Sequence, residues 1–340
     1  MLVFGAGAML VALTGGTRAS SAALDTRHDT TTTTTDGHHV QAGPSHAADK
    51  RLPANVAVGV RIVTFVDRSR TVHFLNGSVE PRTLVTEIRY PAFGRAGAND
   101  LQNATPVRGP GPYPLVIFGH GFGETPAAYA LLQDAWARAG YIVAAPVFPL
   151  TGASAPGGLN EPDLVNQPAD VSFVISRLLA ESARATGSLH GLIAPNLIAV
   201  SGQSDGGDTA LADAYNPAVR DRRVRAAVIL SGAEIPYPPG AFSFPRHGPP
   251  LLATQGTADT INLPSATSMF FALAPHPKFQ LDLLGATHLP PYQNPGAYLT
   301  IVERVSIAFL DHYLKGQPSA LHTMLAAGNV AGLATLHVDL

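Results

Sequence analysis

The sequence predicts an α/β domain with a mostly parallel central sheet that helices cover on both faces. From Val56 onward, short apolar runs alternate with segments of helical spacing. These runs lack the polar alternation of a half-exposed strand, which indicates strands buried on both faces. The chain has 340 residues, of which 46% are hydrophobic and 14% charged, enough apolar sequence for a large core.

The residues before this pattern predict export. Residues 1–23 join the apolar run MLVFGAGAMLVALTGG to the small residues of RASSAA, as at the end of a signal peptide. A short membrane anchor or a disordered tail is the alternative. Residues 24–53 contain the run Thr30–Thr35 and no apolar period, which predicts a flexible linker. We therefore expect a secreted protein without a stable membrane anchor after processing, and a single domain over 54–340.

Each element of that domain follows from local spacing. VGVRIVTFVD and TLVTEIRYP predict two strands, with a turn at Asn76–Gly77 between them. Residues 124–140 have helical spacing and end on a glycine. In chain order, strands are predicted for PLVIFGH, YIVAAPVFP, NLIAVSGQ, VRAAVILSG, PLLATQG and FQLDLLG, and further helices for DVSFVISRLLAESAR and YLTIVERVSIAFLDHYLKG.

Composition limits the partners. The formal net charge is -2 and no basic block is present, so we expect neither nucleic-acid binding nor a lipid-binding polybasic patch. The chain has 0 cysteines, which excludes disulfides, thiol nucleophiles and thiolate metal sites. We expect no metal, no cofactor and a monomer.

One motif predicts a nucleophile. The residues around Ser204, Gly202-Gln203-Ser204-Asp205-Gly206, match G-x-S-x-G. They follow an apolar strand and precede the helix-like segment GGDTALADAY, which is the context that the motif requires. The serine of such a turn has a strained backbone, and its flanking glycines avoid clashes. The sequence therefore predicts Ser204 as the nucleophile; the alternative is a small residue in a tight turn.

A serine nucleophile needs a base and a carboxylate. His288 lies in a loop past a predicted strand, where it would reach the same sheet edge as Ser204. Asp259 follows the preceding strand, which completes the chain order Ser, Asp, His. Asp259 is the predicted acid, with a turn-forming role as its alternative. Glu234 also follows a strand and is the second choice for the acid.

The tetrahedral intermediate needs two backbone N–H donors. We predict them at Asp205, directly after the nucleophile, and at Phe122 in the segment HGFG. Phe122 and Gln203 are also expected to contact the substrate. His120 is expected to support the loop by hydrogen bonding. The carboxylate of Asp205 is expected to avoid the substrate and to face solvent or a donor such as His120 or a backbone N–H.

Five segments together carry a resemblance to known esterases: RTLVTEIRYPA, PLVIFGHGFGETPAAYALL, GYIVAAPVFPLT, NQPADVSFVISRLL and IAVSGQSDGG. From about Val56 onward the chain resembles bacterial platelet-activating-factor acetylhydrolase-like and chlorophyllase-like esterases of the α/β-hydrolase superfamily, a group that borders the cutinase-like polyester hydrolases.

This resemblance implies an α/β-hydrolase fold and a secreted serine esterase that uses no metal. It places the triad on Ser204, Asp259 and His288 and the oxyanion donors on Phe122 and Asp205. The expected substrate is a small or lipid-like carboxylic ester or a polymeric one. Three alternatives remain open: a polyester hydrolase, an acyltransferase with the same triad, and a catalytically silent binding protein.

Overall fold

A ten-stranded sheet runs through the part of the chain that the computed structural model describes, which is residues 52, 55–97, 99–109, 111–234 and 242–340. The predicted signal peptide at 1–23 and nearly all of the predicted linker at 24–53 lie outside these residues. The strands are β1 Ala57–His73, β2 Val79–Ala92, β3 Leu101–Gln102, β4 Tyr113–Gly119, β5 Ile142–Pro146, β6 Ile193–Gln203, β7 Val224–Leu230, β8 Leu251–Gly256, β9 Lys278–Leu283 and β10 Ala334–Asp339.

The α-helices of the same residues are α1 Ala130–Arg138, α2 Gln167–Ala183, α3 Asp205–Tyr215, α4 Pro264–Leu273, α5 Pro290–Gln293, α6 Ala297–Tyr313 and α7 Pro318–Ala327. Two short 3₁₀ turns, Pro126–Tyr129 and Glu161–Asn166, precede α1 and α2. Proline occupies the first turn of α2, α4, α5 and α7, where its fixed φ and missing N–H cost nothing.

The sheet has the order β10-β9-β8-β7-β6-β4-β5-β2-β1-β3. The six neighbouring strands from β9 to β5 pair in parallel, and β10 and β2 pair antiparallel with the two ends of that group. β1 and β2 form the predicted hairpin, and Gly77 takes the positive φ of 88° that its turn requires. The prediction of a mostly parallel sheet is confirmed.

Alternate residues of the central strands enter two separate apolar clusters. In β4, Leu115 and Ile117 pack into the first cluster, whereas Val116 and Phe118 pack into the second. Helices α2, α3 and α4 contribute to the first cluster, and α1, α6 and α7 to the second. Helices therefore cover both faces of the sheet, which explains why its strands read as continuous apolar runs.

Parallel strands bring their carboxyl ends to one edge of the sheet. Ser204 directly follows β6, Phe122 follows β4, Asp259 follows β8 and His288 follows β9. The fold therefore gathers the predicted site residues at this edge, although they are far apart in the sequence.

Candidate active site

Ser204 occupies a sharp turn between β6 and α3. Its φ of 54° and ψ of -125° lie in a region that a non-glycine residue rarely adopts. Two backbone hydrogen bonds stabilise this strained conformation: the Ser204 N–H donates to Leu230 O (3.0 Å), and the Asp208 N–H donates to Ser204 O (2.9 Å). Such strain persists only where the surroundings impose it, and it is concentrated at functional sites.

The two glycines of the motif are required by close backbone contacts. A Cβ on Gly202 would collide with the carbonyl group of Gly206, and a Cβ on Gly206 would collide with the carbonyl group of Gly119 at the end of β4. Any side chain at either position would push α3 away from the sheet edge. The tight strand-to-helix turn thus depends on both glycines.

His288 is held by a buried carboxylate. Its Nδ1 donates to Oδ2 of Asp259 at 2.7 Å, and the two residues are 6% and 2% exposed. Oδ1 of Asp259 accepts from the N–H groups of Ile261 (2.9 Å) and Asn262 (3.1 Å), and Oδ2 also accepts from Gln255 Nε2 (3.2 Å). Burial opposes the charge of Asp259, but these hydrogen bonds, above all the one from His288, lower its pKa below the ordinary value.

The other ring nitrogen of His288 contacts the side chain of Gln203. Nε2 lies 3.2 Å from Nε2 of Gln203, the residue before Ser204, and the same amide nitrogen donates to the backbone carbonyl of His288 at 3.2 Å. Because Nδ1 carries the ring proton and donates it in a hydrogen bond to Asp259, Nε2 carries the lone pair and can act as a base. The acid in contact with His288 is therefore Asp259 and not Glu234, the second choice.

Gln203 itself is fully buried, and its amide group is engaged by the protein. Besides the contacts to His288, its Oε1 accepts from the hydroxyl of Tyr129 at 2.7 Å. Tyr129 also accepts the backbone N–H of Gly121 at 3.3 Å. Sequence reasoning did not single out Tyr129, because a tyrosine inside a predicted helix carries no signal of a contact with a residue more than seventy positions away.

The loop after β4 lies against Ser204. A Cβ on Gly121 would come within 3.3 Å of Ser204 Cβ, so this glycine permits the close approach. The amide of Gly121 donates to Tyr129, and the amide of Gly123 donates to Thr151 O at 2.8 Å. The backbone N–H of Phe122 lies between these two anchored amides, and its side chain is 39% exposed.

His120 supports this loop from below. Its Nδ1 donates to Gly121 O at 2.8 Å, and its Nε2 accepts from the Phe148 N–H at 3.0 Å. Burial lowers the pKa of His120 to about 4, so the ring is neutral at ordinary pH. The expected supporting role of His120 is confirmed, and both of its ring nitrogens are occupied.

Asp205 carries a second buried carboxyl group near His288. The residue is 7% exposed, and its Oδ2 has no hydrogen-bond partner among the described residues. Burial, followed by the charge of Glu161, raises the pKa of Asp205 to about 7, while His288 and a hydrogen bond from its own backbone N–H act in the opposite direction. The carboxyl group therefore faces neither open solvent nor His120, the side-chain partner suggested by the sequence.

The described residues contain no group of three or more histidine, cysteine, aspartate or glutamate side chains arranged to hold a metal ion. None of the helices within those same ranges is long and apolar enough to cross a membrane.

Comparison with known proteins supports the fold class. No family model matches the chain. No curated protein matches it either. Among solved structures, the chain is similar to a ferulic acid esterase from Streptomyces cinnamoneus, with a TM-score of 0.60 and 20% sequence identity over 82% of this chain and 94% of that one. At this identity the similarity establishes a shared fold, in agreement with the predicted α/β class.

Proposed function

We propose that the protein is a serine hydrolase of carboxylic esters. The observation that carries the proposal is the orientation of His288, whose Nδ1 donates to Asp259 while its Nε2 lies 3.2 Å from the side chain of Gln203, next to Ser204 in the strained turn. A serine hydroxyl is a weak nucleophile, and an imidazole in this orientation can accept its proton as it attacks. The esterase named as the solved neighbour gives independent support.

The chemistry follows in two half-reactions. Ser204 Oγ attacks the ester carbonyl as His288 Nε2 takes its proton, and the backbone N–H groups of Phe122 and Asp205 stabilise the oxyanion. His288 then gives the proton to the leaving alcohol, and an acyl-enzyme remains on Ser204. A water molecule, activated by the same nitrogen, releases the acid. Asp259 holds the imidazole tautomer and stabilises the imidazolium throughout.

The surroundings of Ser204 favour the oxyanion that forms when its hydroxyl attacks the ester. Ser204 lies at the N-terminal end of α3, where the aligned peptide dipoles and free N–H groups stabilise an oxyanion. His120 holds the loop of Phe122 through two hydrogen bonds. Because the His120 ring is neutral, it adds no charge next to the backbone N–H of Phe122. Preorganised donors of this kind usually supply a large share of the rate enhancement.

The substrate class within this proposal is a small or lipid-like ester. An alkyl ester of ferulic acid belongs in the test because the solved neighbour is a ferulic acid esterase. A polyester hydrolase and an acyltransferase share the same first half-reaction, and the fate of the acyl group separates them. We further propose that the enzyme is a secreted monomer, and N-terminal sequencing of the native protein should find a start near Leu24.

The proposal is tested with p-nitrophenyl esters of increasing acyl length, together with ethyl ferulate and a polyester film. We expect hydrolysis of short and medium acyl esters, and Ser204→Ala should lower kcat by roughly 10⁵-fold or more, because the triad acts as a unit. Ser201→Ala is the matched control, since Ser201 is buried on β6 and its Oγ has no partner among the described residues. Equal activity of Ser204→Ala and Ser201→Ala would refute the assignment.

A further inference from the structure

Two contacts fix the orientation of the Gln203 side chain. The Tyr129 hydroxyl lies 2.7 Å from Oε1, and the backbone carbonyl of His288 lies 3.2 Å from Nε2. A carbonyl oxygen can only accept a hydrogen bond, so the group that faces it must be the NH₂ of the amide. The oxygen end of Gln203 consequently faces Tyr129, and its nitrogen end faces His288.

This orientation places an N–H donor against the basic nitrogen of His288. Gln203 Nε2 is 3.2 Å from His288 Nε2, which carries the lone pair because Nδ1 donates to Asp259. The amide can donate to the neutral imidazole but not to the imidazolium, whose Nε2 bears a proton. A hydrogen bond made only to the neutral form lowers the pKa of the group that accepts it.

The charged groups that face His288 favour its protonated form instead. The carboxylate of Asp259, after β8, stabilises the imidazolium through its hydrogen bond. Asp205, at the start of α3, interacts favourably with a protonated His288 to the extent that it is ionised, and Glu161 opposes that ionisation. Among the described contacts of the imidazole ring, the one from Gln203 therefore favours the neutral form.

Tyr129 connects this amide with the loop of the predicted oxyanion donor. Its hydroxyl donates to Gln203 and accepts the N–H of Gly121, next to Phe122. Burial raises the pKa of Tyr129, so the hydroxyl keeps the proton that it donates. Packing is tight here: a Cβ on Gly121 would lie 2.8 Å from Gln203 Oε1 and 3.1 Å from Tyr129 Oη.

We propose that Gln203 is a positioning residue which, oriented by Tyr129, donates to Nε2 of His288 in the resting site and couples the base to the oxyanion loop. Nε2 has one lone pair, so the N–H···N contact breaks before this nitrogen takes the proton of Ser204. The bond from the same amide to the His288 carbonyl persists, so the residue stays in place. This role rests on the proposed esterase function and replaces the expected substrate contact of Gln203.

The test compares the pH dependence of kcat/KM for p-nitrophenyl acetate in four variants. Gln203→Leu and Tyr129→Phe should move the acid limb upward by about 0.5 to 1 pH unit and lower the plateau of kcat about three- to tenfold, with KM changed less than twofold. Gln203→Glu still accepts from Tyr129, but its carboxylate favours the imidazolium, so its acid limb should move by more than about 1 unit.

Gln133→Leu is the matched control. Gln133 is another fully buried glutamine, and it bonds Arg89 and the carbonyl of Pro126, away from His288. Its loss should lower the melting temperature and leave the acid limb in place. An acid limb that stays unchanged in Gln203→Leu and Gln203→Glu while KM rises would overturn the proposal in favour of a substrate contact. A shift of equal size in Gln133→Leu would also overturn it.

A direct NMR measurement separates this inference from the proposed function. NMR of ¹⁵N-histidine-labelled Ser204→Ala observes His288 without any ester turnover. Loss of the N–H···N contact should move the Nε2 resonance of His288 when Gln203→Leu is added, whether or not esters prove to be the substrate. An unchanged Nε2 resonance in a folded double variant would contradict the inference even in an active esterase.

Discussion

Asp259 and Asp205 are two buried carboxyl groups that interact with His288, and their environments differ. Asp259 accepts hydrogen bonds from His288, Gln255 and two backbone N–H groups, and its pKa is lowered. Asp205 is almost as buried, yet its Oδ2 has no partner among the described residues, and its pKa is raised to about 7. At Asp259 the hydrogen bonds outweigh burial, whereas at Asp205 burial and the charge of Glu161 prevail.

The difference assigns the roles of the two carboxyl groups. A carboxylate that stays ionised and bonded to Nδ1 can fix the tautomer of the base. A carboxyl group that titrates near neutrality cannot do so reliably, although it begins α3, where the helix dipole favours negative charge. At Asp205, burial and the neighbouring Glu161 outweigh that dipole. The side chain of Asp205 is therefore not the acid that orients His288.

The largest effect that sharpens this comparison is expected at Asp259. Asp259→Asn should lower kcat by roughly 10⁴-fold, because an amide can hold the wrong imidazole tautomer. The fold should survive, since the loop N–H groups can still bond to the amide oxygen. Glu234→Gln is the control, and it should change kcat less than about threefold. A larger loss in Glu234→Gln than in Asp259→Asn would break the assignment of the acid.

The second effect is on the free energy of unfolding, which the Asp→Asn replacements at the two positions should change in opposite directions. The raised pKa of Asp205 destabilises the folded state above the unfolded pKa of about 4, and the penalty grows until pH passes about 7. Asp205→Asn should therefore stabilise the protein at pH 8 by up to roughly 4 kcal/mol, from about three pKa units, and have little effect at pH 4. Urea unfolding at both pH values measures this.

Asp259 supplies the contrast for the same experiment. Its lowered pKa contributes stability above the unfolded value, and this stability is lost as pH falls through the folded pKa. Asp259→Asn should accordingly destabilise the protein at pH 8, and its difference from the wild type should shrink at low pH. Parallel behaviour of the Asp205 and Asp259 variants would mean that the two sites do not differ in charge as described.

The smallest effect is expected on catalysis at Asp205. An ionised Asp205 attracts the imidazolium of His288 but repels the oxyanion that its own N–H stabilises, so the two effects partly cancel. Asp205→Asn should change kcat/KM by less than about tenfold, and the change should be larger at pH 8 than at pH 5.5. A rise of a hundredfold or more would show that the carboxylate faces the reacting oxygen.

Part of this molecule could be predicted from its sequence because the signals are local. The apolar runs predict the strands, and the Ser204 motif between a strand and a helix predicts the turn. Helices α4 and α7, which begin at Pro264 and Pro318, are not among the elements that the sequence analysis predicts, and the short antiparallel β10 has no distinctive pattern. Local patterns identify elements more readily than their partners.

The site contacts that could not be predicted are long-range. The Tyr129–Gln203–His288 network joins the turn after β4, the last residue of β6 and the loop after β9, and the amide orientation of Gln203 depends on both partners at once. Likewise, the charge of Asp205 depends on its burial and on Glu161 in a distant turn. The residue types alone suggest a substrate contact for Gln203, which stays a prediction, and for Asp205 a carboxylate that faces solvent, His120 or a backbone N–H. Only the packed structure supplies the distances that decide such roles.

The most direct test of the central claim is covalent labelling of the purified protein with a fluorophosphonate, followed by intact mass and peptide mapping. A nucleophilic Ser204 activated by His288 predicts a single adduct on the peptide that contains Ser204, formed at a rate that rises through the acid limb of the ester activity. Ser204→Ala should remain unlabelled, and Ser201→Ala should label normally. Labelling that persists in Ser204→Ala, or an adduct on another residue, would contradict the account.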